Sequence, residues 1–227
     1  METPIYVHIF FLATTLLTLG LLYRAFANVS KPIAQKVLWS LVAWLAVQGI
    51  ILATGFYTKT DTLPPRFALA IVPPLIAMIY FLTNKTSADF LNKLSLKDLT
   101  LVHICRIPVE IGLLWLYQSH TIPQIMTFEG RNFDILSGIT AIIMVWYAFQ
   151  NGHTKRTPLL IWNIVCLALV INIVTIGILS VPTPVQQFGF EQPNMGVLIF
   201  PFGWLPAFIV PVVMFCHLVS IRQLLKR

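Results

Sequence analysis

Charge is what this sequence has least of. Asp, Glu, Lys and Arg together make up 10% of its 227 residues, against 57% hydrophobic residues. Soluble domains carry about 25% charged residues, so too few are present to coat a water-facing surface of this size. Acidic residues are scarcer still, 8 against 15 basic, which leaves a formal net charge of +7. That excess does not make a nucleic-acid-binding face. The Lys and Arg residues fall in short runs between apolar segments, where they act as orientation signals, and nucleic acid is excluded as a partner. Cysteine is limited to Cys105, Cys166 and Cys216. All three lie inside apolar segments and none forms a CxxC, which excludes a disulfide framework and a thiolate metal site and leaves inert packing. The HxxxH and HExxH spacings of helical metal sites are also missing. The start of the chain has Glu2 and no Lys or Arg before a long apolar run, so Ala25-Phe26-Ala27 is not read as a signal cleavage site.

Long apolar runs are what the sequence has in quantity. A helix crossing a bilayer needs about 20 apolar residues. Seven segments qualify, at about 4–26, 34–57, 66–84, 96–119, 133–151, 157–180 and 203–225. The connections are short and no internal repeat stands out. The expected fold is an all-α integral membrane protein, a single domain 1–227 forming a seven-transmembrane-helix bundle. With the N-terminus outside, the inner connections and tail hold Arg24, Lys31, Lys36, Lys85, Lys93, Lys97, Lys155, Arg156, Arg222, Lys226 and Arg227. The outer ones hold only Lys59, Arg66 and Arg131. The positive-inside rule therefore predicts an N-terminus outside and a cytoplasmic C-terminus. The sequons Asn28-Val29-Ser30 and Asn84-Lys85-Thr86 fall on inner connections, where glycosylation does not reach.

Several local signals punctuate the runs. The stretch 87–96 is short and amphipathic and predicts an interfacial helix on the inner face. Ser95-x-x-Asp98 reads as a capping box opening the fourth segment. Prolines at 73, 74, 108, 206 and 211 predict kinks. Ser40, Trp44 and Gln48 form a stripe on the second segment, and Ser137, Thr140, Met144, Tyr147 and Asn151 one on the fifth. Asn163 and Asn172 point to opposite faces of the sixth and suit interhelical hydrogen bonds. The outer loop after the fourth segment packs Glu129, Arg131 and Asp134 closely together. It reads as a polar lid, with Asn132 capping the fifth helix and Asp134 complementing its positive end. The long, proline-rich outer stretch 181–202 ends in an apolar run, Met195 to Phe202, that predicts folding onto the bilayer or re-entry between helices.

The fourth segment, Asp98 to His120, is the informative one. His103, Arg106 and Glu110 stand at i, i+3 and i+7, one helical face that Tyr117 extends. Such groups cost about 2.5–3.5 kcal/mol or more each in hydrocarbon, so they face protein, water or one another. His103 and His217 both lie roughly 12 Å from the inner surface on antiparallel helices, close enough in depth to meet. The bland reading pairs Arg106 with Glu110, four residues on, as helix glue.

The functional expectation is binding, with possible transport, of a small or amphiphilic molecule. Its site is a cavity between the second, fourth, fifth and seventh segments. His103, Arg106, Glu110 and His217 would form the polar floor, with Trp44, Gln48 and Tyr117 above. The alternatives are an intramembrane enzyme on a lipid or isoprenoid, with Glu110 as general acid and Arg106 holding an anion, a haem or metal held by His103 and His217, and a non-catalytic subunit of a membrane assembly. Seven outward-starting helices also invite comparison with microbial rhodopsins, but the retinal lysine of that family has no counterpart in 203–225. The expected partners are the lipid bilayer and a lipid-like ligand, and the expected location is a bacterial inner membrane.

Overall fold

The computed structural model describes residues 3–150 and 153–226. Glu2, Asn151 of the fifth stripe and Arg227 of the basic tail lie outside the described residues. Within them all regular structure is helical. Helices α1 (Ile5–Ala27) and α2 (Lys31–Ala53) form a hairpin. Helix α3 (Ala68–Thr83) turns by 86° into the short α4 (Lys85–Lys93). Helices α5 (Leu96–Val102) and α6 (Arg106–Gln118) form one span interrupted by a 3₁₀ turn, His103–Cys105. Helices α7 (Asp134–Ala148) and α8 (Arg156–Leu179) follow, and α9 (Val210–Leu225) is preceded by a π-helical turn, Leu205–Ile209. Five of these are long and apolar enough to cross a membrane: α1, α2, the α5–α6 span, α8, and α9 with its π turn. Helix α3 qualifies only together with α4, and α7 is a shorter apolar helix.

Local chemistry sets the breaks. Helix α2 stops at Ala53, short of the expected 57, because Gly55 takes φ 68° and turns the chain into a 3₁₀ turn, Phe56–Thr58. The amphipathic helix starts at Lys85, before the expected 87, because Asn84 caps it by accepting from the Thr86 N–H at 2.8 Å. It ends at Lys93, where Leu94 turns extended. Ser95 then caps α5 by accepting from the Asp98 N–H at 3.2 Å. Pro108 has no N–H for the Ile104 carbonyl, and the span tightens into its 3₁₀ turn just before it. In 3₁₀ geometry residues i and i+3 eclipse, which lines up His103 and Arg106. The threonines of α1 bond back to their own helix, Thr18 Oγ1 donating to the Thr14 carbonyl at 2.9 Å.

Hydrogen bonds gather the connections at two ends. At one, Asn28 Nδ2 donates to Asp98 Oδ2 at 2.8 Å, and Arg222 Nη1 donates to the Leu82 carbonyl at the end of α3 at 2.6 Å. Arg156 Nη2 donates to the Gln223 and Leu224 carbonyls at 3.0 and 2.9 Å, satisfying the orphan acceptors that close α9. At the other end, the Gly196 N–H donates to the Thr121 carbonyl at 2.8 Å. Phe202 is fully buried there against Phe11, with 5.3 Å between ring centres.

Helix α7 is a short apolar helix preceded by irregular backbone. Its 15 residues span only about 22 Å. The preceding stretch descends into the bundle as irregular backbone. Asn132 reaches Glu110, which lies about 12 Å below the end of α6. Irregular backbone at membrane depth is tolerated only where protein satisfies it. Here Asn132 Nδ2 donates to the Met126 carbonyl at 3.0 Å, and Asn172 Nδ2 to the Arg131 carbonyl at 3.1 Å. Of the residues expected to form a lid here, Glu129 and Arg131 are exposed and Asp134 is buried at the start of α7.

Gly138, one turn beyond Asp134, lets α7 close on this span. A Cβ there would stand 2.7 Å from Ile107 Cγ1 and 3.0 Å from the Ile107 nitrogen. Gly138→Ala is expected to lower stability by about 1–3 kcal/mol, outweighing the roughly 1 kcal/mol of helix propensity gained. Unfolding midpoints in detergent measure this, and a stabilised variant would refute the close approach.

Candidate functional site

Arg106 is the hub of a buried polar network that draws on four helices. Its guanidinium grips Asp134 with two bonds: Nε donates to Oδ2 at 2.9 Å, and Nη2 donates to Oδ1. Nη2 also reaches the Cys166 carbonyl on α8 at 3.3 Å, and Nη1 contacts His217 Nε2 on α9 at 3.1 Å. Arg106 is 2% exposed and Asp134 7%. The bidentate pair is therefore a desolvated charge pair with nearly every donor used.

The partners fix the tautomer of His217. A guanidinium only donates, so Nε2 accepts and the proton sits on Nδ1. Nδ1 then donates to Asn163 Oδ1 at 2.9 Å, and Asn163 Nδ2 donates to the Leu159 carbonyl at 2.8 Å. His103 lies face to face with His217, 3.8 Å between ring centres and 21° between planes, so the two membrane histidines meet. Trp162 packs its ring against His103 nearly edge-on, at 5.4 Å and 75°. Both nitrogens of His103 are buried without a hydrogen-bond partner among the described residues.

This arrangement does not suit a haem or metal. Two axial ligands aim their nitrogens at one another across the metal, whereas these rings stack and both nitrogens of His217 are engaged. Among the described residues no group of three or more His, Cys, Asp or Glu side chains stands ready to hold a metal ion.

Glu110 does not pair with Arg106, although four residues separate them. Its two oxygens accept from Asn132 Nδ2 at 2.7 Å each, and it is 1% exposed. Asn132 also caps α7, Oδ1 accepting from the Asp134 N–H at 3.0 Å. Sequence spacing points to the i, i+4 partner and misses Asp134 and Asn132, which arrive from 28 and 22 residues away. The signal that finds them is the same acidic and amide cluster that reads as a lid.

The other expected site residues stand apart from this network. Gln48 Oε1 accepts from the Tyr57 hydroxyl at 2.7 Å. Burial pushes the Tyr57 phenol above its ordinary pKa. Tyr117 is half-buried near the end of α6. Trp44 Nε1 donates to the Ala207 carbonyl at 2.9 Å. Residue 211 of a regular helix would supply that bond, but Pro211 cannot. Trp204 Nε1 returns the contact, donating to the Leu45 carbonyl at 3.0 Å.

The large cavity lies elsewhere too. About 740 Å³ opens between α2 and α3, floored by α4 and backed by α9. Its walls are apolar, with Phe26, Trp44, Met78 and Phe215 among them. Its polar side chains, apart from the Trp44 indole, are Lys36, Ser40, Thr86 and Ser87, toward the end that carries α4. None of His103, Arg106, Glu110, Gln48, Tyr117 and His217 lines it, and of the side chains expected in a cavity between the second, fourth, fifth and seventh segments Trp44 borders it.

A family model described as a domain of unknown function, DUF8737, matches residues 64–225. The chain belongs to that family. No curated protein and no solved structure matches it. The DUF8737 match takes in α3 to α9, hence the whole Arg106 network and three walls of the cavity. The part of its lining from α1 and α2, with Phe26, Lys36 and Trp44, lies before it.

Removing one partner of a buried ion pair typically costs about 3–5 kcal/mol, whereas replacing both with apolar residues is often neutral. Asp134→Asn should therefore unfold at much lower denaturant or temperature, and Arg106→Met with Asp134→Leu should recover most of the loss. Equal losses in the single and double variants would show that the pair is not what holds these helices.

Proposed function

We propose that this chain crosses the membrane seven times, with its N-terminus outside, and binds a single-chain amphiphile in the cavity between α2 and α3. The observation that carries the reading is the polarity of that cavity. Its walls offer apolar side chains for a hydrocarbon chain, and its polar groups collect at one end with a single charge, Lys36. An anionic or polar head at Lys36, Ser40, Thr86 and Ser87 with its tail toward Trp44 satisfies both parts. The α4 helix, turned 86° from α3, places that mouth at the level of lipid headgroups. The long apolar helices support a bilayer environment. For the seventh crossing, α7 is completed by the irregular stretch before it, and the charge bias of the connections supports the orientation.

The cavity supports binding more directly than chemistry. Glu110 and Arg106 are sealed by Asn132 and Asp134, and the cavity walls do not include them. No specific observation favours Glu110 as a general acid.

The test uses 9,10-dibromostearate as a quencher of tryptophan fluorescence in detergent-solubilised protein. Saturable quenching is expected, and Trp44→Phe should remove most of it. Ala77→Phe, which fills the cavity from α3, should abolish it. Lys36→Ala should raise the half-saturating concentration about fivefold, the effect of losing one lysine near an anionic head. Quenching that never saturates, or that Ala77→Phe leaves intact, would overturn the proposal. Orientation is tested separately by a reporter fused after residue 227, which should read cytoplasmic.

A further inference from the structure

A second, smaller space lies along α3 and meets α8 instead of α2. About 130 Å³ is bordered by Ile71 and Leu75 of α3, Val174 and Ile178 of α8, and Pro206 and Met214 on the α9 side. No charged residue lines it, and its polar side chains are Tyr57 and Asn194. Asn194 is 1% exposed. Its orientation is fixed, because Nδ2 donates to the Gly177 carbonyl at 2.9 Å, and turning the amide over would set oxygen against oxygen. Oδ1 is then left buried with no partner among the described residues. Tyr57 has already given its proton to Gln48. The polar atom of this space left without a partner is therefore an acceptor, Asn194 Oδ1, beside the second N–H of the same amide.

A buried acceptor without a donor costs about 1–3 kcal/mol. A water molecule is a poor remedy, since buried water is held by about three hydrogen bonds and otherwise apolar cavities stay dry. An occupant that brings one O–H and fills the remainder with hydrocarbon satisfies both demands. The volume is close to that of an engineered cavity of about 150 Å³ that takes up benzene.

We propose that this space between α3 and α8 is a binding site for an uncharged phenolic ring, whose hydroxyl donates to Asn194 Oδ1. The ring is either a free small phenol or the head of a lipid whose tail passes between α3 and α8. The site is separate from the amphiphile cavity, and its occupant differs in carrying no charge and requiring a donor.

Four probes test this by thermal unfolding of the detergent-solubilised protein: p-cresol, 4-nonylphenol, and the methyl ether of each. The phenols should raise the unfolding temperature in a saturable way, at concentrations about tenfold lower than their ethers. Stabilisation by both phenols assigns the site to the ring alone, and stabilisation by 4-nonylphenol only assigns it to a lipid head. Asn194→Leu should erase the difference between phenol and ether. Leu75→Trp, which fills the space from α3 without touching Asn194, should abolish binding and guards against a misfolded Asn194 variant. Ala77→Phe, which closes the other cavity, should leave phenol binding unchanged, so failure of one site is distinguishable from failure of the other. Equal binding of phenol and ether, no stabilisation by either phenol, or binding that survives Leu75→Trp would overturn the proposal.

Discussion

A guanidinium in the middle of an apolar bundle has to meet its counter-charge before helices can close around it. Arg106 does so in Asp134, and much of the architecture follows from that requirement. Asp134 stands at the start of α7, where the positive end of the helix also favours a carboxylate. To bring it to Arg106 the chain gives up helix over the preceding stretch and descends as irregular backbone. That backbone needs its own partners, and Asn132 and Asn172 supply them. Gly138 then removes the one side chain that would hold α7 away. The remaining guanidinium donors recruit α8 through the Cys166 carbonyl and α9 through His217. Four helices are thus tied by one cation, and each bond sits where an unpaired group costs most.

The same accounting explains the prolines. Pro108 and Pro211 each free a carbonyl inside the membrane region. Before Pro108 the helix tightens into a 3₁₀ turn, and this tightening aligns His103 with Arg106. At Pro211 the freed Ala207 carbonyl takes the Trp44 indole, which fastens α2 to the π turn. With Trp204 bonding back to Leu45, two indoles clamp α2 near the α9 side. The clamp acts toward one end of the cavity. At the other, α9 anchors both α3 and α4, Arg222 donating to the Leu82 carbonyl and Gln223 to the Leu91 carbonyl.

The apolar helical character of the chain was legible in its sequence, because nearly every crossing needs a long apolar run whatever its tertiary partners. Capping at Ser95 and Asn132 was legible for the same reason: it is local. The partners of Arg106 and Glu110 were not. Spacing along one helix offers each as the other's neighbour, and nothing local says that a turn two dozen residues later dips into the bundle. The matched depth of His103 and His217 was readable from antiparallel helices, but the stacking that removes them from ligand duty depends on Asn163 and Trp162. The polar residues of the fourth and seventh segments do not line the cavity between α2 and α3. In a bilayer, polar side chains seek each other and close up, and open space is left where bulky, proline-bent apolar helices fail to meet.

That contrast separates the two halves of the molecule. The α5–α9 half is knit by charge and amide bonds around Arg106 and Glu110. Helix α3, by contrast, borders both cavities, with Pro73, Pro74 and Ala77 toward one and Ile71 and Leu75 toward the other. Its two internal prolines withhold two backbone hydrogen bonds, and its lateral faces pack against space as well as against neighbours. The Arg106 network holds α9 through His217, and no member of it leaves without stranding a charge. The polar core therefore bears on the apolar cavities indirectly, by fixing α9, whose Pro211 borders both of them opposite α3.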